Sequence, residues 1–145
     1  MFQQLSCIWE EFTVDRFATT YNTKCIRFNS NIWVPGTEAV DAFSVNWSGE
    51  MNWIVQPPRL ITPVINKMLK EGTRGALIAP VWKSASYWPI LFPDGNKSDF
   101  VSEEKLFPVT RNIVNGLGKN GVFANPKCSF QMAAFLVDFS ITDNL

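Results

Sequence analysis

Histidine is absent from all 145 residues. That closes this chain to Ser-His-Asp and Cys-His nucleophile pairs, to His-ligated zinc and to an imidazole base. Cys7, Cys25 and Cys128 are odd in number and widely spaced. They fit neither a disulfide framework nor paired zinc ligands, and read as free thiols. Glu103-Glu104 lacks a third carboxylate at useful spacing, so no two-metal site and no bound metal is expected. The remaining candidates are a carboxylate, Asp15, and the stiff segment Gln56-Pro57-Pro58-Arg59. Gln56 offers an amide acceptor, Arg59 a flat cation able to stack on a base, and the prolines restrict the loop between them. In plainer terms, Pro-Pro ends many strands and a strand-end aspartate often caps a helix.

Positioning these groups requires strands. Glu11 to Ala18 is a β-prone run that delivers Asp15 near its carboxyl end. Tyr21 to Pro35 is rich in Asn, Thr and Ser and reads as an ordered loop anchored by Phe28 and Trp33, and Val40 to Trp47 as a second short strand. Asn52 to Val55 is a compact strand stopped by Gln56-Pro57-Pro58. A helix follows over Pro63 to Glu71, with Thr62 as N-cap, an apolar face of Val64, Ile65, Met68 and Leu69, and Gly72 as its stop. Gly75 to Trp82 is apolar throughout, the pattern of a strand buried on both faces. Together these make a βαβ unit, which predicts parallel strands. Ser84 to Phe92 begins a second helix that Pro89 shortens, and Asp94 to Glu104 is a surface loop. Gly121 to Ala124 and Phe130 to Phe139 are strand-like around the turn Asn125 to Cys128, a hairpin at the sheet edge.

The predicted fold is therefore one α/β domain over 1–145, with no linker, repeat or low-complexity tract. Hydrophobic residues at 46% against 18% charged can fill a core. Thirteen basic and thirteen acidic residues give no net charge, so contact with DNA or RNA must be local. Six tryptophans and twelve phenylalanines, interleaved with Lys24, Arg27, Lys67, Arg74 and Lys83, could stack on bases, although core packing is their commoner use. Apolar runs are too short to cross a bilayer and the first residues lack a signal-peptide layout, so an intracellular domain with no membrane partner is expected. In open α/β sheets ligands gather beyond the carboxyl ends of the strands. The exits Asp15-Arg16-Phe17-Ala18, Gln56 to Arg59 and Pro80-Val81-Trp82 should thus line one crevice.

The order Asp15-Arg-Phe-Ala, Asn22-Thr-Lys-Cys25, Arg27-Phe28, Asn46-Trp47, Gln56-Pro57-Pro58, Lys67, an apolar strand to Pro80, and Trp88 resembles the phage-type Dam adenine methyltransferases. It resembles more closely the related domain that follows reverse transcriptase and ribonuclease H in DIRS-type (tyrosine-recombinase) retroelement polyproteins. The resemblance is strongest over 12–91. It implies a three-layer, mostly parallel sheet of methyltransferase (Rossmann-like) type, here with the C-terminal β-hairpin. It places Gln56, Pro57, Pro58 and Arg59 at the catalytic loop, Asp15, Phe17 and Asp41 at the cofactor, and Lys24 and Trp82 toward substrate.

Active members of that family carry Asn or Asp, two prolines and an aromatic in this loop, the first residue accepting from the adenine amine and the aromatic stacking on the flipped base. Gln56 adds a methylene, and Arg59 sets a cation beside a sulfonium. Arg16 to Thr20 contains no glycine for a cofactor-binding turn. The reading that follows is a degenerate, noncatalytic methyltransferase-like domain without cofactor. It would contact nucleic acid or the neighbouring reverse transcriptase and ribonuclease H regions. The alternatives are an active S-adenosylmethionine-dependent adenine methyltransferase and a purely structural extension. Gln56 and Arg59 are both expected at a loop mouth, where replacing them costs little stability.

Overall fold

The strand-helix-strand unit at the centre of the chain is the frame on which the rest is built. In the computed structural model, which describes residues 2–18, 22–30, 32–107 and 131–140, β4 (Met51–Val55) and β5 (Arg74–Pro80) pair in parallel from Met51 opposite Arg74 to Val55 opposite Ile78. Helix α2 (Ile61–Glu71) makes the crossover. It starts earlier than Thr62 because a 3-10 turn over Pro58–Leu60 feeds it directly. Leu60 stands at the cap position with no side-chain cap. Pro63 is tolerated in the first turn, where an N–H has no intrahelical partner in any case. Gly72 ends the helix in the left-handed region (φ 63°), its N–H reaching back to Leu69 and Met68. The buried stripe is Ile61, Val64, Ile65 and Met68. Leu69, counted in the apolar face from sequence, is 59% exposed.

Around this unit lies a mixed seven-stranded sheet of order β3-β2-β1-β4-β5-β7-β6. Here β1 is Val14–Asp15, β2 Arg27–Ser30, β3 Ala39–Val40, β6 Val101–Phe107 and β7 Met132–Asp138. Strands β1 to β5 are mutually parallel, and β7 runs antiparallel to both β5 and β6. The domain is thus α/β, with few α-helices among the described residues: α2, α1 (Phe2–Ile8) and α3 (Trp88–Leu91). Alternation along the central strands splits the core in two. On one face Ile54, Leu77, Ala79, Phe135 and Val137 pack with α2 and with Leu91 of α3. On the other, Trp53, Val55, Ala76, Ile78 and Ala134 pack with Leu5 of α1 and with Phe12.

Five sequence expectations change. The run from Glu11 contracts to a two-residue strand. The Asn- and Thr-rich stretch contains β2, which sequence reasoning treated as loop; Phe28 anchors it, while Trp33 is exposed. The strand expected over Val40 to Trp47 stops at Val40, because Asp41 takes φ 66° and its carboxylate caps a 3-10 turn by accepting from the Phe43 N–H at 3.1 Å. Part of the loop expected over Asp94 to Glu104 is β6, an edge strand whose exposed Ser102 to Leu106 hides the alternation of a buried strand. Pro89 lies in the first turn of α3 and so begins that helix rather than cutting it. The antiparallel pair at the carboxyl-terminal side is β6 with β7. The arm Gly121 to Ala124, the turn Asn125 to Cys128 and Phe130 lie outside the described residues. Among the described residues no helix is long and apolar enough to cross a membrane.

Candidate functional site

Strand order reverses between β1 and β4, because β1 leads outward through β2 to β3 and the chain returns to place β4 on its other side. Crevices at the carboxyl ends of open α/β sheets form at such a point. The exits of β1, β4 and β5 are brought side by side there, but they do not end level. Asp15 is in register with Trp53, so Gln56 lies three residues beyond it along the sheet, about 10 Å at strand rise. Asp15 is therefore the floor of the candidate site and the Pro57 to Arg59 turn its wall.

Asp15 is 3% exposed, and its Oδ2 accepts the Lys24 N–H at 2.8 Å. Burial pushes its carboxyl up from 3.8 to about 6, while the N–H groups of Lys24 and Phe17 and the Lys24 charge pull the other way. The same bond is what brings Lys24 here, its side chain being exposed. Cys25 is half-buried, and burial, with the charges of Asp15 and Glu11, pushes its thiol up to about 12, so it stays protonated. Cys7 is exposed, and Cys128 lies outside the described residues.

The folded-state value of Asp15 lies above the unfolded one, so the native chain holds this proton more tightly. The stability gained is full below about pH 4 and is lost as pH rises through about 6, on the order of 2–3 kcal/mol. Asp15→Asn keeps an acceptor for Lys24 without a charge. Denaturant midpoints of parent and variant are expected to draw apart in the variant's favour between pH 4.5 and 7.5. A constant gap would mean that Asp15 does not titrate in this window.

Gln56 departs from expectation. It is 1% exposed, its Nε2 donates to the Ile78 carbonyl at 3.1 Å, and its Oε1 is buried without a partner. It belongs to the sheet interior rather than to the loop mouth, because β4 carries its side chain over the neighbouring β5. Pro57 and Arg59 are exposed and Pro58 half-buried, as a mouth requires. Phe17 turns into an aromatic group with Phe43 and Trp47, at centroid distances of 5.6 and 6.1 Å. Asp41 is exposed beyond β3 and occupied in capping. Trp82 is half-buried just past β5, its N–H donating to the Pro80 carbonyl at 3.0 Å.

Sequence reasoning missed a buried polar network beside the floor. Arg16 is 3% exposed; its Nε donates to Asn52 Oδ1 and its Nη1 to Asn29 Oδ1, each at 2.7 Å. Its guanidinium lies 5.5 Å from the Trp47 ring centroid, and Lys67 Nζ lies 5.2 Å from the same ring. Glu71 accepts from both the Lys67 ammonium (2.6 Å) and the Trp47 backbone N–H (2.8 Å). Burial lowers the Arg16 value to about 10, so it is cationic at neutral pH. One signal was available: Asn52 begins a strand legible from sequence, where a buried polar side chain demands a partner.

No protein-family model matches this chain, and no curated protein matches it. Among the described residues, no group of three or more His, Cys, Asp or Glu is arranged to hold a metal ion.

Proposed function

We propose that this chain is a methyltransferase-type module of a retroelement polyprotein that no longer transfers methyl groups and serves to contact nucleic acid beside reverse transcriptase and ribonuclease H regions. Three kinds of support stand behind it. The motif order from Asp15 to Trp88 carries the family resemblance. The parallel strands run 3-2-1-4-5, the order of a doubly wound nucleotide-binding sheet up to its fifth strand. The observation that carries the loss of catalysis is Gln56, whose amide is drawn inward onto Ile78, leaving the exposed cation of Arg59 at the mouth.

S-adenosylmethionine fits these residues poorly. Asp15 already accepts backbone N–H groups, and the guanidinium of Arg16 is fixed beside the floor, where a second positive centre would be repelled. Calorimetric titration is expected to give no heat up to millimolar cofactor, and micromolar binding would replace this reading with an active enzyme. One observation favours that second reading: the unpartnered Oε1 of Gln56 is an acceptor of the kind an amine would fill.

The paired replacement Gln56→Asn with Arg59→Tyr separates the two positions. Shortening Gln56 forfeits the bond to Ile78 and should cost about 1–3 kcal/mol in a denaturant titration. Arg59→Tyr alone should stay within about 0.5 kcal/mol. Equal costs would contradict the different burial of the two side chains.

A further inference from the structure

Trp33 is 73% exposed, whereas the other five tryptophans are buried or half-buried. It follows the exit of β2 beside Ile32, also exposed, and Val40 is exposed at the exit of β3. Farther along the same end of the sheet, Arg59 follows β4 and Lys83 follows β5. Both are exposed, and neither has an ion pair among the described residues. At the amino end Arg27 is closed by Glu38 and Glu50 and Arg74 by Glu10, while Lys70, in the last turn of α2, is exposed there without an ion pair among the described residues. Among the described residues the acids at the carboxyl end are Asp15, which is buried, and Asp41, which caps a turn. A chain with no net charge thus keeps unpaired cations and an open aromatic along one end of its sheet.

We propose that the carboxyl end of the sheet binds an unpaired, single-stranded nucleic acid, with Trp33 stacking on a base and Arg59 and Lys83 meeting phosphates. This rests on the nucleic-acid part of the function proposed above and names the form of the ligand. From β2, which Trp33 follows, to β5, which Lys83 follows, is three inter-strand spacings, about 14 Å, a reach that suits a few nucleotides. Stacking on tryptophan needs a free base face, which a duplex hides, and it tolerates any base. With two phosphates engaged, the logarithm of the binding constant should fall with the logarithm of salt at a slope of about −1.4, the single-strand value for two contacts.

The test is a polarisation titration of the whole chain against a short labelled oligothymidylate and against the same strand annealed to oligoadenylate. The expected result is at least roughly ten-fold preference for the single strand, a loss of roughly ten-fold or more in Trp33→Ala, retention in Trp33→Phe, and a flatter salt dependence in Arg59→Glu with Lys83→Glu. Equal affinity for the duplex overturns the proposal. So does a Trp33→Ala variant that binds as the parent does. If the charge reversals alone abolish binding, stacking is refuted while nucleic-acid contact at this end stands. If no variant changes binding, or none occurs, both fall, and the cofactor titration remains the separate measure of methyltransferase descent.

Discussion

Gly75→Ala is expected to lower the stability of this domain by about 3 kcal/mol, the upper part of the range for overpacking a closed interior. A Cβ at Gly75 would lie 2.5 Å from the Asn52 carbonyl oxygen and 2.9 Å from the Asn52 Cβ. Neither obstacle can rotate aside, since both belong to β4 at the point where it pairs with β5. Asn52 is itself fixed, its Nδ2 donating to the Arg74 carbonyl at 2.8 Å and to the Trp47 carbonyl at 3.2 Å. The two central strands must separate locally, which strains the sheet between the halves of the core. For a domain of this length the change corresponds to a melting temperature lower by roughly 10 °C. Calorimetry on the purified variant measures it, and an unchanged transition would mean that β4 and β5 do not pair in this register.

Arg16→Ala should be at least as damaging, on the order of 3–5 kcal/mol, because it strands two buried acceptors and opens a cavity beside Trp47. Asn29 Oδ1 and Asn52 Oδ1 both lose their donor. The Asn29 amide would be left worse off than it is, since its Nδ2 is already buried without a partner. Arg16→Met fills the space and removes a charge whose burial is costly, so it should recover part of the loss but not the two hydrogen bonds. Chemical denaturation of the three proteins is expected to rank parent above Met above Ala. A methionine variant as stable as the parent would show that the asparagines find other donors and that Arg16 only fills volume.

Local signals made the centre of the molecule legible. Pro57-Pro58 stopping β4, Gly72 stopping α2 and the apolar run of β5 act within a few residues of themselves, and each survives in the fold. The same was true of the place where strand exits converge. The periphery obeys longer-range causes. Strand β2 has a polar residue, Asn29, buried in its middle, where Arg16 reaches it from just past β1. No pattern of apolar alternation could announce that strand. Strand β6 looks like a loop because its middle is solvated and its pairing comes entirely from β7. Gln56 reads as a mouth residue because Pro-Pro follows it, but it sits just past β4 and its amide answers to the Ile78 carbonyl of the next strand. From sequence Trp33 reads as a loop anchor beside Phe28, and only its three-dimensional exposure removes it from that role and sets it apart from the other tryptophans.

The place of β7 has a consequence in time. It is last among the described strands in sequence, yet it lies between β5 and β6 and is nearly all buried. While a ribosome adds the roughly thirty residues from the end of β6 to the end of β7, at about 5–20 residues per second, both flanking strands must wait with an unpaired edge. A nascent chain therefore carries, for some seconds, the apolar edge of β5 and a solvated β6 that cannot yet be a strand. The charged middle of β6, Glu103, Glu104 and Lys105, then guards against pairing with the wrong neighbour.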